Sequence, residues 1–171
     1  SMKIAFVSQR SFTYVGHAIA VHLKKKYGLN NFSAFTFLRT SYNFLKSQKD
    51  IEYQPLILDE DIHPQYKQEK LDVEYLRTLE REYGIPNLWP YLAVDRILMF
   101  NQLLREYPYN TPHYTHEEMM RILQVKAKAV IKFLEKEKPD FLIYSVIGAT
   151  SSMLLYEIAR KMGIRTIAIL A

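Results

Sequence analysis

The sequence predicts an α/β protein built on a doubly wound parallel sheet with strands in the order 3-2-1-4-5. Three observations carry that expectation. First, Phe141 to Ser145 and Ile164 to Leu170 are unbroken apolar, β-favouring runs, and continuous apolar strands imply burial on both faces. Second, Met153, Leu154, Leu155, Ile158, Ala159 and Met162 lie between them on one helical stripe, which Gly163 ends. Third, the same strand-helix alternation opens the chain, and right-handed crossovers then bring the fourth strand beside the first.

In chain order, Lys3 to Ser8 is the first strand, followed by a loop through His17 and a helix from Ala18 to Lys26. Ile19, Ala20, Leu23 and Tyr27 form its inner stripe. Lys24, Lys25 and Lys26 crowd its last turn, where the helix dipole favours cations, and Gly28 stops it. Phe32 to Leu38 is strand two, Ser41 to Gln48 a short helix or turn, and Tyr53 to Leu58 strand three. Asp59, Glu60 and Asp61 read as a solvated loop or helix start, because nothing nearby adds the oxygen or imidazole geometry of a metal site. A helical insertion is expected at about 61–114. It holds a helix from Glu69 to Tyr83, a break at Gly84, a second helix from Leu88 to Met99 and a turn-rich loop ending at Tyr114. Thr115 then caps a long helix with Glu118 as its capping-box partner, and that helix runs to the Lys138-Pro139-Asp140 turn. With no repeat or linker, residues 1–171 read as one domain.

Composition limits the function. An apolar fraction of 49% and a charged fraction of 24% suit an ordinary globular chain. No window is apolar enough to span a bilayer, and the start lacks a signal-peptide core. The absence of cysteine excludes disulfide and thiolate chemistry and fits a cytoplasmic location. A net charge of +5 suits an anionic partner, such as a nucleotide or phospholipid headgroups, and leaves room for peripheral contact with the inner face of a membrane. Nucleic acid ranks below these, since no motif organises the 13 Tyr and 9 Phe. The chain stops at a strand with no helix to cover it, so it is expected to be the N-terminal part of a longer two-domain protein and inactive on its own.

In the predicted order, the loops Ser8 to His17 and Ser145 to Thr150 face each other across a crevice at the sheet's carboxyl edge. His17, read as a helix-start residue whose imidazole the dipole keeps neutral, can accept a proton from a hydroxyl or can simply bond backbone. Gly16 permits close approach of a ligand, or makes a plain turn. Thr150, Ser151 and Ser152 open a helix, where they can hold a phosphate or sugar hydroxyl or serve as caps. Arg10 can meet an anionic group as a two-pronged donor. Asp95 and Arg96 form a surface pair or line a groove, and Trp89 reads as a core anchor. His113, His116 and Glu117 lack the i, i+4 spacing of a helical zinc site, so no metal is expected.

Gly16-His17 opening a helix after strand one resembles the first loop of GT-B glycosyltransferases. Lys138 to Leu170 resembles the last strand-helix-strand of their Rossmann-like N-terminal domain, and is similar to the matching stretch of the non-hydrolysing UDP-N-acetylglucosamine 2-epimerases. Tyr83 to Trp89 with Asp95 and Arg96 resembles a segment of bacterial capsule and surface-polysaccharide glycosyltransferases. The first loop departs from the pattern in lacking a run of glycines. The resemblance implies an enzyme in which this half holds mainly the acceptor, a carbohydrate or a lipid-linked sugar. An absent C-terminal domain would hold the nucleotide-sugar donor, with no metal or other cofactor, and His17 would be the base. The alternatives are half of a nucleotide-sugar 2-epimerase and a non-catalytic flavodoxin-like binding domain.

Overall fold

The computed structural model describes residues 1–84, 114–145 and 150–170. Five parallel strands form one sheet in the order β3-β2-β1-β4-β5, as expected: β1 (Lys3–Ser8), β2 (Asn31–Thr36), β3 (Tyr53–Leu58), β4 (Phe141–Tyr144) and β5 (Arg165–Ala168). β1 is central, with Ile4 level with Phe32 on one side and Phe141 on the other. Helices between the strands cover both faces, and the architecture is Rossmann-like.

Alternation along each strand sorts the core into two layers. Ile4, Phe6, Phe32, Ala34 and Ile143 meet α1 (Phe12–Tyr27) and α2 (Arg39–Ser47). Ala5, Val7, Phe35 and Leu142 meet the other layer, formed by α5 (His116–Glu137) and α6 (Thr150–Lys161). Leu134, Leu154, Leu155 and Ile158 there are wholly buried, each stabilising the fold by roughly 1.5–3 kcal/mol relative to exposure. The described part of the insertion holds the single-turn helix α3 (Asp59–Ile62), a 3-10 helix (His63–Lys67) and α4 (Val73–Tyr83).

Local signals place most boundaries. The capping box on α5 is complete: Thr115 Oγ1 accepts from Glu118 N at 3.1 Å, and Thr115 N donates to Glu118 Oε1 at 3.0 Å. That backbone donor holds the Glu118 carboxyl below its ordinary range. Gly28, Gly84 and Gly163 follow α1, α4 and α6 at φ of 69°, 63° and 80°, the left-handed conformation that a terminating glycine supplies at least cost. At the other edge of the sheet, Asp140 N donates to Lys3 O at 2.8 Å and Lys3 N donates to Asp140 Oδ2 at 2.7 Å, stitching the helix-ending turn to the start of β1.

Two expectations are corrected. α1 starts at Phe12 rather than Ala18. Gly16 lies inside it, at a propensity cost of about 1 kcal/mol, and packing repays that cost because Phe6 and Phe12 crowd the position. Strand five is shorter than Ile164 to Leu170 and is not buried. Arg165, Ile167 and Ala168 are exposed, because β5 is an edge strand whose one neighbour among the described residues is β4.

Candidate functional site

The carboxyl edge of the sheet carries a row of buried polar residues. β1 ends on Ser8 and β2 on its register partner Thr36, while Asp59 follows the end of β3. All three are buried. Thr36 Oγ1 donates to Ile57 O at 2.7 Å, which closes the β2-β3 side of the row. Beside Ser8, the Oε1 of Gln9 is buried and has no hydrogen-bond partner among the described residues. Arg10 follows, exposed, at φ of 51°. That is uncommon for a side chain of its size, and such outliers cluster at functional sites.

The first turn of α6 closes the row from the side of β4. Thr150, Ser151 and Ser152 do open this helix, as read from sequence, yet all three are buried rather than lining an open mouth. Ser151 Oγ donates to Asp59 Oδ1, and Lys126 Nζ from the middle of α5 lies 3.2 Å from Asp59 Oδ2. The Lys126 side chain is 4% exposed and that of Asp59 11%. The protein therefore spends its own carboxylate at the start of α6, where the backbone N–H groups and dipole would favour an anion. With its hydroxyl already donated to Asp59, and Asp59 paired with Lys126, Ser151 has no free side-chain donor to offer an incoming phosphate.

Asp59 corrects the reading of Asp59-Glu60-Asp61 as a solvated segment. Only its neighbours fit that description: Asp61 pairs with Arg39 at 2.5 Å and Glu60 accepts from Arg39 N at 2.7 Å, both pairs being exposed. Lys126 was not singled out either. Its signal was present, because Lys126 sits four residues from both Ile122 and Val130 and so shares their inward stripe.

The structure separates His17 from this edge. It is not a helix-start residue but lies in the second turn of α1, beyond the reach of the terminal N–H groups. Its Nδ1 is 2.8 Å from the hydroxyl of Tyr53, and its Nε2 is 3.3 Å from Asp50 Oδ1. Tyr53 is the first residue of β3 and Asp50 precedes it, so the ring is held toward the amino end of the sheet. Burial, with Asp50 adding to it, pushes the Tyr53 phenol up. Gly16 is a packing residue: a Cβ there would lie 3.2 Å from Phe6 Cδ1. Thus the edge gathers Arg10 with Thr150, Ser151 and Ser152, while His17 and Gly16 serve the α1 interface. Trp89, Asp95, Arg96 and His113 lie outside the described residues, as do 146–149 of the loop after β4.

Among the described residues no group of three or more His, Cys, Asp or Glu is placed to hold a metal ion, and no helix is long and apolar enough to cross a membrane. A cleft of about 770 Å³ does open at the amino edge, between Met2, Phe141 and Arg165. It adjoins strand starts rather than the polar row, and in open parallel sheets ligands bind at the opposite edge. No protein-family model matches the chain, and no curated protein matches it significantly. What fold and site define is the class: a Rossmann-like α/β domain with a polar carboxyl edge.

Proposed function

We propose that the chain is the N-terminal, mainly acceptor-binding half of a GT-B type glycosyltransferase that moves a sugar from a nucleotide sugar to a surface-polysaccharide acceptor. The observation that carries this reading is the parallel pairing of β1 with β4, which sets Gln9, Arg10 and the first turn of α6 along one edge. The chemistry of that edge favours a sugar over a phosphate. Gln9 Oε1 is a buried acceptor needing a donor, and a sugar hydroxyl supplies one. Asp59 takes the anion position beside Ser151. Arg10 suits an acidic sugar or the phosphate of a lipid-linked acceptor at the rim.

In this reading an acceptor hydroxyl attacks the anomeric carbon, the new glycosidic C–O bond forms as the bond to the nucleoside diphosphate breaks, and the hydroxyl proton passes to a base. The ring of His17 points elsewhere, so the reading does not place that base on His17. Asp95 and Arg96 belong to the same proposal as groove residues. The test is a transfer assay of the whole two-domain enzyme of this reading with a panel of nucleotide sugars and polysaccharide or lipid-linked acceptors, read by mass spectrometry. Arg10→Ala and Gln9→Ala should each lower kcat/KM for the acceptor about tenfold, the value of one hydrogen bond to a charged or buried group. His17→Ala should leave the folded enzyme active. Epimerisation of the nucleotide sugar without acceptor would select the epimerase instead, and binding of neither substrate would leave a non-catalytic domain.

A further inference from the structure

The two layers covering the sheet differ in charge. Residues 1–49 contain eight Lys and Arg and no Asp or Glu, leaving 15 basic against 18 acidic for the remainder. Those 49 residues include all of α1 and α2, so the two helices of one layer carry basic and no acidic side chains, while α5 mixes both signs along its length. A solvent-facing helix ordinarily carries Glu and Lys together for its i, i+4 pairs. α1 does not.

The outward stripe of α1 is Ser11, Tyr14, Val15, Ala18, His22, Lys25 and Lys26, all exposed. At about 100° per residue these fall within roughly a third of the helix circumference. Tyr14 is 57% and Val15 45% exposed, and Tyr14 sits edge-on to Phe44 of α2 with ring centres 4.7 Å apart. Lys26 lies over the exposed ring of Tyr27 at 5.3 Å, and Arg39 and Lys46 lie over Tyr42 at 5.8 and 5.6 Å.

We propose that this α1-α2 layer docks on a bilayer surface carrying anionic phospholipid headgroups. Exposed Tyr14 and Val15 share the outer stripe of α1 with Lys25 and Lys26, and the helix carries no acid of its own, which matches the interfacial pattern of amphipathic helices that lie in the headgroup plane. The nearby acids are Asp50, beside His17, and Glu60 and Asp61, which engage Arg39 at the start of α2. Nucleic acid fits less well, because Lys26 lies over the Tyr27 ring and Arg39 and Lys46 lie over that of Tyr42, which leaves less of both rings for stacking bases. A second copy of the same face would set lysine against lysine. The surface is on a different layer from the Asp59-Lys126-Ser151 cluster, and its docking does not depend on glycosyl transfer.

The protein is sedimented with vesicles of phosphatidylcholine alone and with about one-third phosphatidylglycerol. Binding to the anionic vesicles only, lost in high salt, is the expected result. Each lysine at such a surface changes partitioning about fivefold, so Lys25→Gln/Lys26→Gln should weaken it roughly thirtyfold. Tyr14→Ser/Val15→Ser should weaken it without changing its salt dependence. All these positions are exposed, and an unchanged melting curve confirms that the variants fold. Lys132→Gln/Lys136→Gln on α5 removes the same charge from the other layer and should bind as the parent does. The proposal fails if the parent ignores anionic vesicles, if the α5 variant loses as much as the α1 variant, or if a single-stranded oligonucleotide displaces the protein from vesicles at equal phosphate.

Discussion

Two polar clusters in this molecule use similar chemistry in different settings. Asp59, Lys126 and Ser151 come from three elements far apart in sequence and are almost wholly buried. His17, Tyr53 and Asp50 are nearer neighbours, and Asp50 is 52% exposed. Charges removed from water must be mutually compensated, so the first cluster is all-or-none; solvent can replace a partner in the second. The comparison teaches that a residue's type and a suggestive neighbour, as in Gly16-His17, indicate less about its role than what the fold packs around it.

The sharpest way to break the comparison is Lys126→Ala. It strands a buried carboxylate and should cost about 3–5 kcal/mol in urea unfolding, whereas Asp59→Leu/Lys126→Met should recover most of that loss. If both variants were equally unstable, the pair would owe its value to packing rather than to charge. Next in size is an alkaline effect from the second cluster. Tyr53 has a raised folded pKa, so the stability it contributes is complete below the unfolded value of 10.0 and declines as pH rises toward the folded value. Above pH 10 this adds up to about 1.4 kcal/mol per pH unit to the decline that Tyr75, likewise raised to about 12 by burial, produces; a Tyr53→Phe protein that declines as steeply as the parent would assign the effect to Tyr75.

Gly16→Leu, which forces a side chain against Phe6, should cost about 1–3 kcal/mol and leave acceptor KM unaltered in the folded protein. A raised KM with unchanged stability would return Gly16 to the ligand. The smallest effect is His17→Ala, at about 1 kcal/mol for its hydrogen bond to Tyr53. Abolished sugar transfer in a stably folded His17→Ala protein would reinstate the histidine as a base.

Strand order, the capping box at Thr115 and the helix-ending glycines were legible because each depends on local pattern or on a handedness rule. The start of α1 was misplaced, since a glycine inside a helix reads as a break until its partner, Phe6, is known. Thr150 to Ser152 were rightly put at a helix start, but their burial depends on Asp59 and Lys126, which belong to other segments. Charge on a buried helical stripe marked Lys126; nothing local marked Asp59 as its partner.

The stitch between Lys3 and Asp140 spans 137 positions, and it implies an order of events during translation. At roughly 5–20 residues per second, β1 waits about seven to twenty-seven seconds for β4 to emerge. Through that interval the central strand has one bare edge, although β2 and β3 can already shield its other side. A nascent chain halted before Phe141 should therefore be cut by protease within residues 1–58, where the released protein resists; equal resistance would mean the three-stranded unit closes without its fourth member.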